Sequence, residues 1–132
     1  MTIIVDTNLL VRMAVDDNPH QRRAAAKTVA EADAVVISCH SICEMAWVLR
    51  QRYAFSKAEI GEAIQKLCEI EKVVMDRSAV EAGLDALQAG GDFADGVVLY
   101  EGQCLGGEIF VSFDKKAVAA VSQRGMKAEL LV

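Results

Sequence analysis

The chain contains no apolar run approaching the length that crosses a bilayer. It also has no basic N-terminal segment followed by a signal-like apolar stretch. Together these absences describe a soluble cytoplasmic protein. No C-x-x-C pair occurs among its four cysteines, Cys39, Cys43, Cys68 and Cys104. Without a signal-like segment, a disulfide framework is not expected. Cys39, His40 and Cys43 offer three zinc donors, but no fourth lies nearby, so the cysteines are expected to be buried structural residues. Basic excess is missing too. Lys and Arg number 14 against 19 Asp and Glu, for a net charge of −5. That balance excludes a protein that coats nucleic acid electrostatically, but not an enzyme that gathers carboxylates at a metal site. Aromatic residues number only seven, four Phe, two Tyr and one Trp. There are no repeats, low-complexity segments or linkers.

What is present is ordinary globular composition, 53% apolar and 25% charged. Its 132 residues suit one domain, 1–132, with a sizeable core. Ile3-Ile4-Val5 reads as a short, fully buried strand, and Asp6-Thr7-Asn8 after it can open a helix. Leu9 to Ala14 is a short helix. Asn18-Pro19 starts the next, with an N-cap residue and proline at the first helical position, running to about Glu31. Ala34 to Ser38 is a second buried strand. Ser41-Ile42-Cys43-Glu44 forms a capping box for a helix to about Arg52, with Ile42, Met45, Ala46 and Leu49 as its core stripe. Ser56-Lys57-Ala58-Glu59 is another box, opening a helix with Ile60, Ile64, Leu67 and Cys68 on one face.

Val73 to Met75 is a third strand, followed by a helix from Ser78 to about Ala89. Gly90-Gly91 breaks that helix, and Asp92-Phe93-Ala94-Asp95 starts another that stops at Gly106-Gly107. Glu108 to Phe113 is a fourth strand. A helix from Lys115 to about Gln123 follows, and Ala128 to Val132 forms a last edge strand. Helices alternating with short apolar strands predict an α/β fold with a mostly parallel sheet of about five strands.

Acidic residues recur in one local context. Asp6 and Asp114 end strands, Glu44 opens the helix after the second strand, and Asp95 lies in the first turn after Gly91, with Asp92 one turn earlier. Each can be explained as a helix cap or first-turn acid. As a set, they belong at the carboxyl edge of a parallel sheet, where ligands gather. Asp6 and Asp114 should follow central, buried strands. Unpaired carboxylates collected there repel and are costly to desolvate, and a hard cation such as Mg²⁺ or Mn²⁺ removes that penalty.

Val5-Asp6-Thr7-Asn8, Glu44, Asp92-Phe93-Ala94-Asp95 and Phe113-Asp114 together resemble the PIN-domain pattern, and the small single-domain form resembles the VapC toxins of toxin–antitoxin pairs. The resemblance spans essentially the whole chain. It implies a PIN domain acting as a Mg²⁺-dependent endoribonuclease that prefers single strands. Asp6, Glu44, Asp95 and Asp114 would be catalytic and metal-binding, with Asp92 an outer contributor. Asn8 and Ser112 match polar positions that orient the acids. Asp6 and Asp95 would be the principal ligands of one metal, which activates a water for in-line attack. Gly96 is a departure, standing where the family carries alanine or another helix former, and is expected to soften the turn holding Asp95.

No histidine, cysteine or serine nucleophile is then required, so His20 and His40 are bystanders. Arg12, Arg22, Arg23, Lys115 and Lys116 are candidate phosphate contacts. The resemblance also implies a homodimer and a small antitoxin partner. Trp47, Tyr53 and Phe55, with Met45 and Leu49 nearby, offer an aromatic helical hairpin as a groove for that partner. Two other readings compete. A haloacid-dehalogenase-like phosphatase would use Asp6 as nucleophile with Gly91-Asp92 and Asp95, but it needs a second Asp where Asn8 stands. A catalytically idle PIN-like binding module would have no use for four acids.

Overall fold

Apolar triplets that alternate with amphipathic helices fold here as α/β units with parallel pairing throughout. The structure, a computed structural model, describes residues 1–132. The chain forms two compact units, Met1–Arg77 and Ser78–Val132.

The first unit runs β1 (Thr2–Ile4), α1 (Thr7–Ala14), α2 (Pro19–Glu31), β2 (Ala34–Val36), α3 (Cys39–Tyr53), α4 (Lys57–Glu69) and β3 (Val73–Val74). Its sheet has the order β1-β2-β3, with Ile3 opposite Val35 and Val35 opposite Val73. Val35 and Ile37 are buried together with Val5, Leu10, Ile42, Met45, Leu49, Ile64 and Val73. The apolar stripe expected on α3 is therefore the core stripe. Asn18 accepts the Gln21 N–H ahead of Pro19 in α2. Ser56 and Glu59 complete the capping box of α4. The hydrogen bonds from the Ser56 backbone and hydroxyl hold the Glu59 carboxyl below its ordinary value.

Within the second unit, α5 (Arg77–Gln88) leads to α6 (Phe93–Cys104), β4 (Phe110–Ser112), α7 (Lys115–Gln123) and β5 (Ala128–Leu130). β4 and β5 pair in parallel, Val111 opposite Glu129. Phe93 is only 1% exposed. It lies over Gly83, where an added Cβ would come within 2.5 Å of its ring. Gly96, one turn later on α6, brings α5 so close that a Cβ would sit 2.2 Å from the Ala82 carbonyl oxygen. The expectation that Gly96 merely softens a turn is thus replaced by a packing requirement.

Several sequence expectations are corrected. The five strands are present, but as a sheet of three and a sheet of two. β1 is not fully buried, since it pairs on one side only and Ile4 is 84% exposed. For the same reason neither Asp6 nor Asp114 follows a strand that is central in its sheet. The helix α3 starts three residues earlier than a capping box at Ser41 would place it. Ser38, not Ser41, is the N-cap, and its hydroxyl accepts the Ser41 N–H at 3.1 Å. Cys104 is exposed and the other three cysteines are half-buried, so none is a fully buried core thiol. Burial nonetheless pushes the Cys68 thiol up, against the pull of Arg77.

Two glycines of α6 should respond oppositely to the same change. Gly96→Ala forces a methyl into the Ala82 carbonyl and should cost about 1–3 kcal/mol. Gly102 has open space around it, so Gly102→Ala should stabilise by about 0.5–1 kcal/mol through helix propensity alone. Denaturant melts of the two variants check both signs, and a neutral Gly96→Ala would refute the close approach of α5 and α6.

Candidate functional site

A helix leaves its first backbone N–H groups without internal partners, and a carboxylate at the strand-to-helix junction can satisfy them. Asp6 does this for α1, accepting the Leu9 N–H at 3.1 Å through Oδ1. Asp114 does it for α7, where Oδ1 accepts Lys116 N–H at 2.9 Å and Ala117 N–H at 3.2 Å. Ser112 at the end of β4 supports Asp114 by accepting its backbone N–H at 3.0 Å. Both carboxylates are exposed.

Glu44 is placed differently from the sequence expectation. With Ser38 as the N-cap of α3, Glu44 lies in the second turn and serves no capping box. Instead, Thr7, the residue next to Asp6, donates its hydroxyl to Glu44 Oε1 at 3.3 Å. His40, one turn earlier on α3, brings Nε2 to the same oxygen at 2.8 Å. The pair is ionic when the imidazole is protonated and a neutral hydrogen bond when Nε2 carries the only ring proton. His40 is therefore no bystander. Its i,i+4 spacing from Glu44 on one helix face was the available signal. His20 takes no part in this arrangement.

Every protein contact of Asp6, Glu44 and Asp114 falls on one carboxylate oxygen. The group is thereby oriented, while its second oxygen stays uncommitted to the protein. Asp92 is the N-cap residue of α6, yet its side chain makes no cap hydrogen bond. Asp95 is the acid of the first turn of α6, half-buried and engaged. In the first unit Glu44 is thus tied to Thr7, the neighbour of Asp6 in the chain, and the second carries Asp92, Asp95, Asp114 and Ser112.

Beside Asp6 the first unit has an open pocket of about 260 Å³ between α1 and α2. Asp6, Asn8 and Arg12 line one wall, and Gln21, Ala24 and Thr28 the other. The volume lies under the roughly 300 Å³ at which small-molecule sites begin. It suits part of an extended chain rather than an engulfed small molecule. Arg12, expected as a candidate phosphate contact, has a side chain that is only 15% exposed. Nη1 meets Asp17 at 2.8 Å and Nη2 donates to the Tyr53 hydroxyl at 2.6 Å. The Tyr53 hydroxyl in turn donates to Asp17 at 3.1 Å, and Arg12 Nε is buried without a partner. Arg22 pairs with Asp16 at 3.2 Å.

No group of three or more His, Cys, Asp or Glu side chains stands within metal-binding reach in either unit. Hard cations do not require one, because Mg²⁺ is commonly held by one or two carboxylates and water. Asp6 and Glu44 supply carboxylate oxygens of that kind, each held by one oxygen only. The donor chemistry fits a hard divalent cation. His40 would have to keep to Oε1.

The aromatic hairpin breaks up. Tyr53 is drawn toward α1 by Arg12, while Met45 and Leu49 are buried core. At 100° per residue, Trp47 and Tyr53 point about 120° apart around α3. They line no common groove.

Set against known proteins, the chain matches the PIN domain over residues 3–121. No curated protein matches it. The match runs through both units and takes in Asp6, Glu44, Asp92, Asp95 and Asp114, and by it the chain belongs to the PIN-domain family, whose members are in general nucleases.

Proposed function

We propose that this protein is a metal-dependent endoribonuclease, the toxin of a toxin–antitoxin pair, whose carboxylates are Asp6, Glu44, Asp95 and Asp114 with Asp92 contributing. The observation that carries the reading is the one-sided engagement of Asp6, Glu44 and Asp114. A monodentate cation ligand needs one carboxylate oxygen, and each of these side chains is oriented through one oxygen while keeping the other free of protein hydrogen bonds. When bound, Mg²⁺ or Mn²⁺ supplies water of lowered pKa and positive charge for the scissile phosphate. The chain's part is positional. The helix starts fix Asp6 and Asp114, and Thr7 with His40 fixes Glu44. Ser112 steadies Asp114, and Asn8 borders the pocket beside Asp6.

Capping and chemistry can be separated at Asp6. Asparagine caps a helix about as well as aspartate, so Asp6→Asn should keep the melting temperature and abolish cleavage of an unstructured RNA. Excess EDTA should do the same to the wild type. Full activity in either case refutes the metal mechanism.

Linkage gives a second readout that needs no substrate. A cation that binds only the folded chain, at a hundred times its dissociation constant, stabilises by about 2.7 kcal/mol. Mn²⁺ should therefore raise the melting temperature of the wild type, and less that of Asp6→Asn. An equal shift in both would place the ion elsewhere.

The partner half of the proposal is a small antitoxin bound to a homodimer of this chain. Its support is the motif resemblance and the exposure of Asp6, Glu44 and Asp114, which a basic side chain of the partner can reach in competition with metal. Expression alone should arrest growth, and co-expression of an adjoining small reading frame should relieve it. A harmless protein that binds nothing encoded beside it leaves the nuclease without this role.

A further inference from the structure

Trp47 is the only tryptophan of the chain, and it is 60% exposed on α3. Core packing does not explain it. The buried residues of α3 are Ser41, Ile42, Met45, Ala46 and Leu49, and Trp47 lies off that stripe. It lies one turn beyond Glu44, at the i,i+3 spacing that makes two side chains neighbours on a helix surface. One turn further on is Arg50, also exposed, whose Nη1 is held by the Phe55 carbonyl oxygen at 3.2 Å. Read along the helix, the indole stands between a carboxylate and an oriented guanidinium, each about 60° from it around α3.

We propose that Trp47 is a stacking platform for one unpaired base of the RNA substrate, next to the phosphate handled at Glu44. The inference rests on the ribonuclease reading and adds to it a subsite and a requirement for an unstacked nucleotide. Single-stranded RNA is bound where bases splay onto aromatic faces while cations follow the backbone. The order Glu44, Trp47, Arg50 meets both needs within two helical turns.

A protein partner is the competing occupant, and the surroundings of Trp47 argue against it. Protein interfaces surround their aromatic anchors with further apolar surface. The exposed helix neighbours of Trp47 are Glu44, Arg50 and Gln51, which are polar or charged. An indole flanked along its helix by such groups is suited to a flat, polar-edged ring.

Because Trp47 is the sole indole, its fluorescence reports on this subsite directly. Wild-type protein in EDTA, which binds without cutting, is titrated with a ten-residue oligoadenylate and with an abasic oligonucleotide of equal length. The oligoadenylate should quench the emission and bind more tightly. Base–aromatic stacking has a size that predicts an affinity loss of roughly tenfold to a hundredfold for Trp47→Leu. Trp47→Phe should keep most of the affinity. With Mg²⁺ present, the loss in Trp47→Leu should fall on KM and not on kcat.

Unquenched emission together with unchanged affinity in Trp47→Leu overturns the inference. So does a Trp47→Leu protein that loses self-association on sedimentation but binds RNA normally, because the indole then belongs to a protein interface. The two readings fail separately. Normal cleavage by Trp47→Leu with Asp6→Asn inactive refutes the subsite and spares the nuclease. Base-dependent quenching in a protein that never cleaves RNA refutes the nuclease and keeps the subsite.

Discussion

The first turn of a helix must find acceptors for backbone N–H groups that the helix itself cannot satisfy, and much of the candidate site follows from that requirement. A carboxylate at a strand-to-helix junction is drawn to those donors and gains from the helix dipole. Once one of its oxygens is taken up, its direction is set by backbone rather than by a flexible side chain. Asp6 and Asp114 are held in this way at the starts of α1 and α7. Acidic chemistry on this scaffold therefore needs no separate supporting framework. The residue at the junction, two positions after the strand, caps the helix and keeps its second oxygen free of protein hydrogen bonds. Glu44 has no such donor, since α3 begins further back. A hydroxyl and an imidazole do for it what backbone does for the aspartates.

The sequence was informative wherever a local rule decides. Asn18-Pro19 and the Ser56 box lie where capping chemistry puts them, because an N-cap depends on only four consecutive residues. The stripe of α3 is buried as its period requires. Reading failed where two local solutions compete. Ser38 and Ser41 both suit an N-cap, and the chain uses Ser38, which starts α3 at Cys39 and moves Glu44 into the second turn. It failed again where the answer depends on distant residues. Nothing near Arg12 in sequence announces Tyr53, which lies 41 positions away and draws the guanidinium inward. Nor does local pattern reveal that β1 pairs on one side only, which leaves Ile4 exposed.

Gly96 shows how a residue next to a candidate site residue can be fixed by packing alone. In Asp92-Phe93-Ala94-Asp95-Gly96, Phe93 and Gly96 recur at i and i+3, as do Asp92 and Asp95. The first pair lies against α5, Phe93 on Gly83 and Gly96 against the Ala82 carbonyl. With that face committed, the rotation of α6 is set, and so is the direction in which both aspartates leave it. By propensity alone, glycine in a helix is a weakness. Here it is the residue that permits the approach, and any larger one would turn or lift the helix carrying Asp95.

A net charge of −5 is a real obstacle for a protein that handles a polyanion, and the structure narrows how it can be met. Two of the expected phosphate contacts are already neutralised, Arg12 by Asp17 and Arg22 by Asp16. Arg23, Lys115 and Lys116 are left from that set, with Arg50 added on α3. Attraction to phosphate scales with the number of such contacts, so a set this small gives weak long-range capture. On the proposed reading, the remaining free energy comes from terms that act at contact, namely a cation held by the carboxylates and the stacking of a base. Both demand a flexible strand that can bring one phosphate and one base to fixed positions. Duplex RNA keeps its bases stacked inward and can offer only the phosphate. Under the proposed function, the acidic character of this chain thus favours single-stranded substrates.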